Sequence, residues 1–253
     1  MRPRAPRSLA LLVLASMAAA CSARSGSEAT PNPAVTVTPA TTIAGSSTTA
    51  SPVGKPLVVA EQGVTSFPDP YDPTATLGGY GVVLENPNHD LMATGVRVTT
   101  RILDNAGTQL LVDSALLNAV SPGQRMAVGR TLIEPIEGPA TLDVTVQVSA
   151  WLRPAHATGA QVASDVVTQP EDAGGSVTKF TLRSTWPEAE DGVDVTAVYR
   201  AADGRILGAE STTLPHVPAG EPVSGQIRLL SPIPDLVTTE VFVGRGFAAL
   251  TTG

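Results

Sequence analysis

Few side chains in this sequence are equipped for chemistry, and the most reactive of them stands alone. Cys21 is the single cysteine among 253 residues. One thiol cannot close an internal disulfide, and a cysteine-based metal cage needs several thiolates at set spacings. His89, His156 and His216 are the only imidazoles, and none has a second histidine at ligand spacing. Each reads as a loop or turn residue rather than a metal ligand or general base. Two acidic loops, "FPDPYDP" with Asp69 and Asp72 and "PEAEDG" with Glu188, Glu190 and Asp191, offer clustered oxygens. Neither has the spacing of a calcium loop, and both read as solvated charge. Gly78-Gly79 lacks the Lys-Ser or Lys-Thr and the following helix that a phosphate loop requires, and no G-x-S-x-G elbow occurs. Asp104 and Asp203 fit turns in which a carboxylate bonds nearby backbone amides. Trp151 and Trp186 fit the rim of a core better than exposed anchors. The expectation is therefore no catalytic, cofactor-binding or metal-binding residue, which excludes most enzyme classes.

The elements around Cys21 give it a purpose. Arg2, Arg4 and Arg7 precede an apolar run from Leu9 to Ala20, broken only by Ser16, in the manner of a secretory signal. Twelve residues fall short of the roughly 20 needed to span a bilayer, so a permanent transmembrane helix is not expected. Ala18, Ala19 and Ala20 stand immediately before Cys21 and resemble the lipobox of bacterial lipoproteins, although the family favours Leu where this chain has Ala18. The resemblance implies cleavage between Ala20 and Cys21 and a diacylglycerol-type lipid, palmitate or a similar acyl chain, on the Cys21 thiol. Two acyl chains hold a protein stably at a membrane where one does not.

Residues 22–56 change character, with 6 Ser, 7 Thr and 5 Pro in 35 residues and no aromatic. Such a segment cannot bury enough apolar surface to offset its ordering entropy and reads as a disordered tether, about 30 Å long on average as a flexible coil. Beyond it the chain repeats itself at an offset of 97. "GVRVTTRILDNAGTQLL" from Gly95 matches "GVDVTAVYRAADGRILG" from Gly192, and the ungapped alignment from Gly95 to Val146 holds 16 identities in 52 positions. Upstream the match needs a one-residue gap.

Each copy reads as β. Val96, Val98 and Ile102 alternate with Arg97, Thr99 and Arg101, and Val193, Val195, Ala197 and Tyr199 alternate in the same way. "DNAG" and "AADG" then predict hairpins closed by a glycine of positive φ with a bulge, and "SPGQ" and "PAGE" predict the next turns. No long stretch carries helical spacing. The fold expected is all-β, two tandem immunoglobulin-like sandwiches at 57–152 and 153–253 with a linker at 153–159, after a signal peptide at 1–20 and a tether at 21–56. Each half has the size of a domain that folds alone.

"YGVVLENPNHDLMATGVRVTTRILDNAG" followed by "SPGQ" resembles the FxLyD-type β-sandwich domains of bacterial envelope lipoproteins, through Asn86, Ile102, Leu103, Asp104, Gly107, Pro122 and Gly123. Thr100 replaces the family's Phe and Leu103 its Tyr. The resemblance implies an exported interaction or structural module without assigned chemistry.

Without the signal the chain carries 13 basic and 23 acidic residues, a balance that repels nucleic acid and anionic headgroups alike. Attachment to the membrane then falls to the lipid. Fourteen Arg against two Lys fits GC-rich coding and a high-GC Gram-positive source. The expected place is the extracytoplasmic face of the cell membrane. Two roles remain open there: scaffolding toward an envelope protein or wall component, expected to leave a sheet edge or apolar patch exposed, and binding of a small apolar ligand, expected to show a deep apolar pocket.

Overall fold

The computed structural model describes residues 52–69, 72, 74–132, 135–136, 138–154, 159–171 and 175–246. Cys21, the signal, most of the tether and His156 lie outside them. The described part is all-β: β1 (Val58–Pro68), β2 (Thr76–Glu85), β3 (Met92–Asp104), β4 (Gln109–Val120), β5 (Arg125–Leu132) and β6 (Ala140–Leu152), followed by β7 (Gln161–Pro170), β8 (Ser176–Ser184), β9 (Glu190–Arg200), β10 (Ile206–Val217), β11 (Pro222–Leu229) and β12 (Thr238–Val243). They form four three-stranded sheets ordered β1-β2-β5, β4-β3-β6, β11-β8-β7 and β10-β9-β12, every ladder antiparallel. No sheet mixes strands of the two copies, so each copy is a sandwich of two sheets.

The internal repeat survives as geometry. Val96 faces Leu117 and Val193 faces Leu214, and the pairing continues at the same offset to bulges at Ile102/Leu103 and Ile206/Gly208. Both hairpins close the same way. Gly107 donates its N–H to Asp104 O and Gly204 to Ala201 O, at φ of +79° and +83°. A side chain at that φ meets the following carbonyl, which is why both copies have glycine there. The gap falls in the connection after the second strand. Val82 and Leu84 point into the first core as Phe180 and Leu182 point into the second, an offset of 98, and one residue fewer then separates Ser184 from Gly192 than Asn86 from Gly95.

Val82, Leu84, Val96, Val98, Ile102 and Met126 form the first core, and Phe180, Leu182, Val193, Val195, Tyr199 and Ile227 the second. Between them lies a third apolar cluster of Val83, Ala127, Val198, Ile206, Ala209 and Phe242, drawn from both copies. It arises because β2 is buried on both faces, Val82 and Leu84 inward and Val83 outward. The outer face of sheet β1-β2-β5 packs on the outer face of sheet β10-β9-β12, giving a stack four sheets deep within one compact unit. Phe67 and Leu77, paired on the β1–β2 ladder, extend the contact by joining the cluster that contains Leu207 and the second core.

Glycine permits this approach. A Cβ on Gly79 would lie 2.5 Å from Leu207 O, and one on Gly129 would lie 2.8 Å from the Ala209 Cβ. Backbone thus approaches backbone more closely than any side chain would allow. Gly78, beside it, would meet the Ile136 side chain on the inner face. The Gly78-Gly79 pair in the sequence belongs to this packing.

Candidate functional site

The seam between the sandwiches concentrates the polar chemistry of the described residues. At one place four charges close a ring. Arg200 reaches Glu61 at 2.7 Å and Glu240 at 2.8 Å, while Arg125 pairs with Glu61 and lies 3.9 Å from Glu240. Glu61 and Arg125 come from the first copy, Arg200 and Glu240 from the second, so every cross-copy edge of the ring ties the halves together. Burial pushes the Glu61 carboxyl upward, but hydrogen bonds and charge from Arg200 and Arg125 outweigh it and hold the group below the usual glutamate range. Arg125 also lies over the Phe242 ring, 5.8 Å from its centroid.

At a second place the seam opens into a cavity of about 220 Å³ lined by Pro122, Gln124, Gly159, Gln161, Trp186 and Arg245 among others. Glu190, at the start of β9, is buried and pairs with Arg245 at 2.6 Å. Its other oxygen accepts from Gln161 Nε2 at 2.7 Å and from Gly246 N at 3.1 Å. The Arg245 guanidinium stacks 3.5 Å above Trp186, and Gly159 lies against the same indole so closely that a Cβ would be 2.4 Å from it. Gln124, from the β4–β5 turn, donates to Val243 O at 2.7 Å and accepts from Ser121 N. These groups serve one another. Ser121 Oγ, Gln161 Oε1 and Arg245 Nε are buried without a hydrogen-bond partner among the described residues. The lining mixes the apolar Trp186, Pro122, Pro154 and Ala160 with the polar Gln124, Gln161 and Arg245, and holds no Leu, Ile, Val or Phe.

The remaining residues singled out in the sequence are dispersed. His89 is exposed. His216 Nδ1 lies 2.6 Å from Asp191 Oδ1 on the surface, and among the described residues no hydroxyl or thiol bonds to this imidazole, as a nucleophile would. Asp72 accepts from the N–H and hydroxyl of Thr74, which hold its carboxyl below the usual aspartate range. Glu188 is exposed, and Asp69 is half-buried. Among the described residues no three of His, Cys, Asp and Glu converge as a metal site would require. Asp104 accepts from the N–H groups of Ala106 and Thr108, and Asp203 from Arg205, the turn roles expected of them. Trp186 is buried and Trp151 packs against the first core.

Asn86, just past the end of β2, is fully buried and works as a corner staple. Its Nδ2 donates to Leu91 O at 2.8 Å and Val120 O at 3.0 Å, and its Oδ1 accepts from Asn88 N and Nδ2. Asn88 in turn accepts from Lys55 N and donates to Lys55 O, fixing the chain just ahead of β1. Trp186 occupies the matching place in the second copy, where Gly159 packs on it ahead of β7. Both copies therefore clasp their incoming segment with the same loop position.

Sequence reasoning missed the charge ring and the Glu190–Arg245–Trp186 stack, whose members are scattered along the chain. The signal available was glycine on the outward positions of one sheet. Searches against protein-family models and curated proteins found no match for the chain.

Proposed function

We propose that the protein is a lipid-anchored envelope lipoprotein whose folded part is a non-catalytic interaction or scaffolding module. The observation that carries this reading is Cys21, the only cysteine, placed after Ala18-Ala19-Ala20 at the end of a signal-like run. Acylation of its thiol holds the mature chain on the extracytoplasmic face of the bacterial membrane. The residues of the tether set the folded part away from the lipid, toward a partner among envelope proteins or wall components.

The seam supports a passive role. Its charges are spent on one another, with Arg200 on Glu61 and Glu240 and Arg245 on Glu190. By contrast, Leu110, Val112 and Leu116 stand exposed along one strand. Cys21→Ser tests the anchor. The variant is expected to lose incorporation of labelled fatty acid and to leave the membrane fraction, and label retained at the wild-type level would refute the reading.

A further inference from the structure

We propose that the outer face of sheet β4-β3-β6 docks a β-sheet of a second protein, one with small side chains on its strands and carboxylates beside them. This deepens the reading of the protein as an interaction module and rests on it. The argument begins with the repeat. Sheet β4-β3-β6 in the first copy corresponds strand for strand to sheet β10-β9-β12 in the second, and the second copy shows what covers that face.

At the offset of 97, Leu110 corresponds to Leu207, Val112 to Ala209, Arg101 to Val198 and Thr145 to Phe242. In the second copy these positions are 2%, 0%, 0% and 6% exposed, under the glycine-rich sheet of the first copy. In the first copy Leu110 and Val112 are 45% and 44% exposed, and Leu116 further along the strand is 61% exposed. The same surface is thus covered in one copy and bare in the other; on the bare one β4 has kept its apolar side chains, while β3 and β6 have Arg101 and Thr145 in place of Val198 and Phe242. The covering sheet fits because Gly63, Gly79, Gly81 and Gly129 let it lie close, and because Glu61 meets Arg200.

Charge decides the occupant. The bare face carries Arg97, which has no acidic partner among the described residues, and Arg101, only 3.6 Å from the exposed Asp143. A second copy of this chain would bring the wrong surface. Its glycine-rich sheet is already occupied, and the equivalent sheet of its second sandwich has Lys179 where Gly81 stands and an exposed Arg183, with Asp165 beside Lys179 and Arg228 paired with Glu171. Pairing two β4-β3-β6 faces with their apolar strands together would set Arg97 against Arg101. These two self-pairings bring Lys179, Arg183 or a second Arg101 toward Arg97, while a small-residue sheet carrying Asp or Glu complements both the apolar strand and the arginines.

The test places a photoreactive phenylalanine analogue at Ser114, in the middle of this face, or at Gln226 on the far sheet as a control, and irradiates the full-length protein in its own membrane. The expected result is one protein adduct from position 114 and none from 226. Its partner peptide, mapped by mass spectrometry, should lie in a strand bearing Gly or Ala with a neighbouring Asp or Glu. Arg97→Glu and Val112→Asp, both surface changes, should each lower adduct yield at least tenfold while leaving the melting temperature within a few degrees. An adduct of the chain with itself, an adduct with lipid or glycan, equal yields at both positions, or a yield unmoved by either substitution would overturn the proposal. Membrane sedimentation of the same samples reports anchoring separately, so a failed docking face and a failed lipoprotein reading give different results.

Discussion

Gly79→Ala should destabilise the protein although it adds a better strand residue. In a free strand, replacing Gly by Ala gains about 0.5–1 kcal/mol. Here the new Cβ would sit 2.5 Å from Leu207 O and 3.1 Å from Gly208 Cα, both backbone atoms of the opposing sheet. Ordinary C···O contact lies near roughly 3.3–3.6 Å, so the two sheets must part by about 1 Å at this point. A gap of that size forfeits about a quarter to a half of the dispersion energy of the contacts it opens, and overpacking of this kind costs about 1–3 kcal/mol. A net loss of about 2 kcal/mol lowers the melting temperature by roughly 4–8 °C in a domain of this size. Gly208→Ala is the matched control in the facing strand, because its Cβ would meet nothing closer than 3.4 Å. Thermal unfolding followed by circular dichroism reads both. If Gly79→Ala melted at or above the wild-type temperature, or if the two variants fell equally, the close packing of the two sandwiches would be refuted.

Three further outcomes are expected. Glu61→Gln should lower the denaturant midpoint at neutral pH by removing the cross-copy pair with Arg200 and the pair with Arg125 that braces it. Because the Glu61 pKa is held below the usual glutamate range, the carboxylate stabilises the fold above that range and loses its contribution as pH falls through the folded-state pKa, so midpoints of the two proteins should converge in acid. Asn86→Ala should cost about 2–4 kcal/mol, since it strips partners from buried backbone groups at Leu91, Val120 and Asn88, and urea unfolding measures it. Tyr80→Phe removes the 2.6 Å bond from its hydroxyl to Asp113 and should cost about 1–2 kcal/mol by the same assay; no change would mean that water replaces the tyrosine without penalty.

The strands, turns and repeat were legible because they follow from local pattern. Alternation at Val96, Val98 and Ile102 fixes which side is inward, and the hairpin glycines Gly107 and Gly204 fix the turns. The stacking of the copies was not legible. Val83 lies between Val82 and Leu84, and an unbroken apolar run reads equally as a strand in a wide core or one buried by a neighbour. Phe67 and Leu77 look like ordinary core residues of the first copy, yet they pack with the second. Glu61, Arg125, Arg200 and Glu240 are single charges in alternating strands, and only the tertiary arrangement closes them into a ring. Of the candidate sites, Cys21 rests on sequence alone, while the exposed strand of Leu110 and Val112 acquires meaning only beside the covered copy.

Whether the two sandwiches form one folding body is tested most directly by calorimetry on residues 52–253 and on fragments 57–152 and 155–253, alone and mixed. Separation would bare Val83, Ala127, Phe67 and Leu77 on the first fragment and Val198, Ile206, Leu207, Ala209 and Phe242 on the second. The intact folded part should show one transition. Each fragment alone should lack a cooperative transition or self-associate, and mixing should restore the intact melting curve. Two fragments that each unfold cooperatively near the intact midpoint would contradict a shared core and return the chain to two independent domains joined at 153–159.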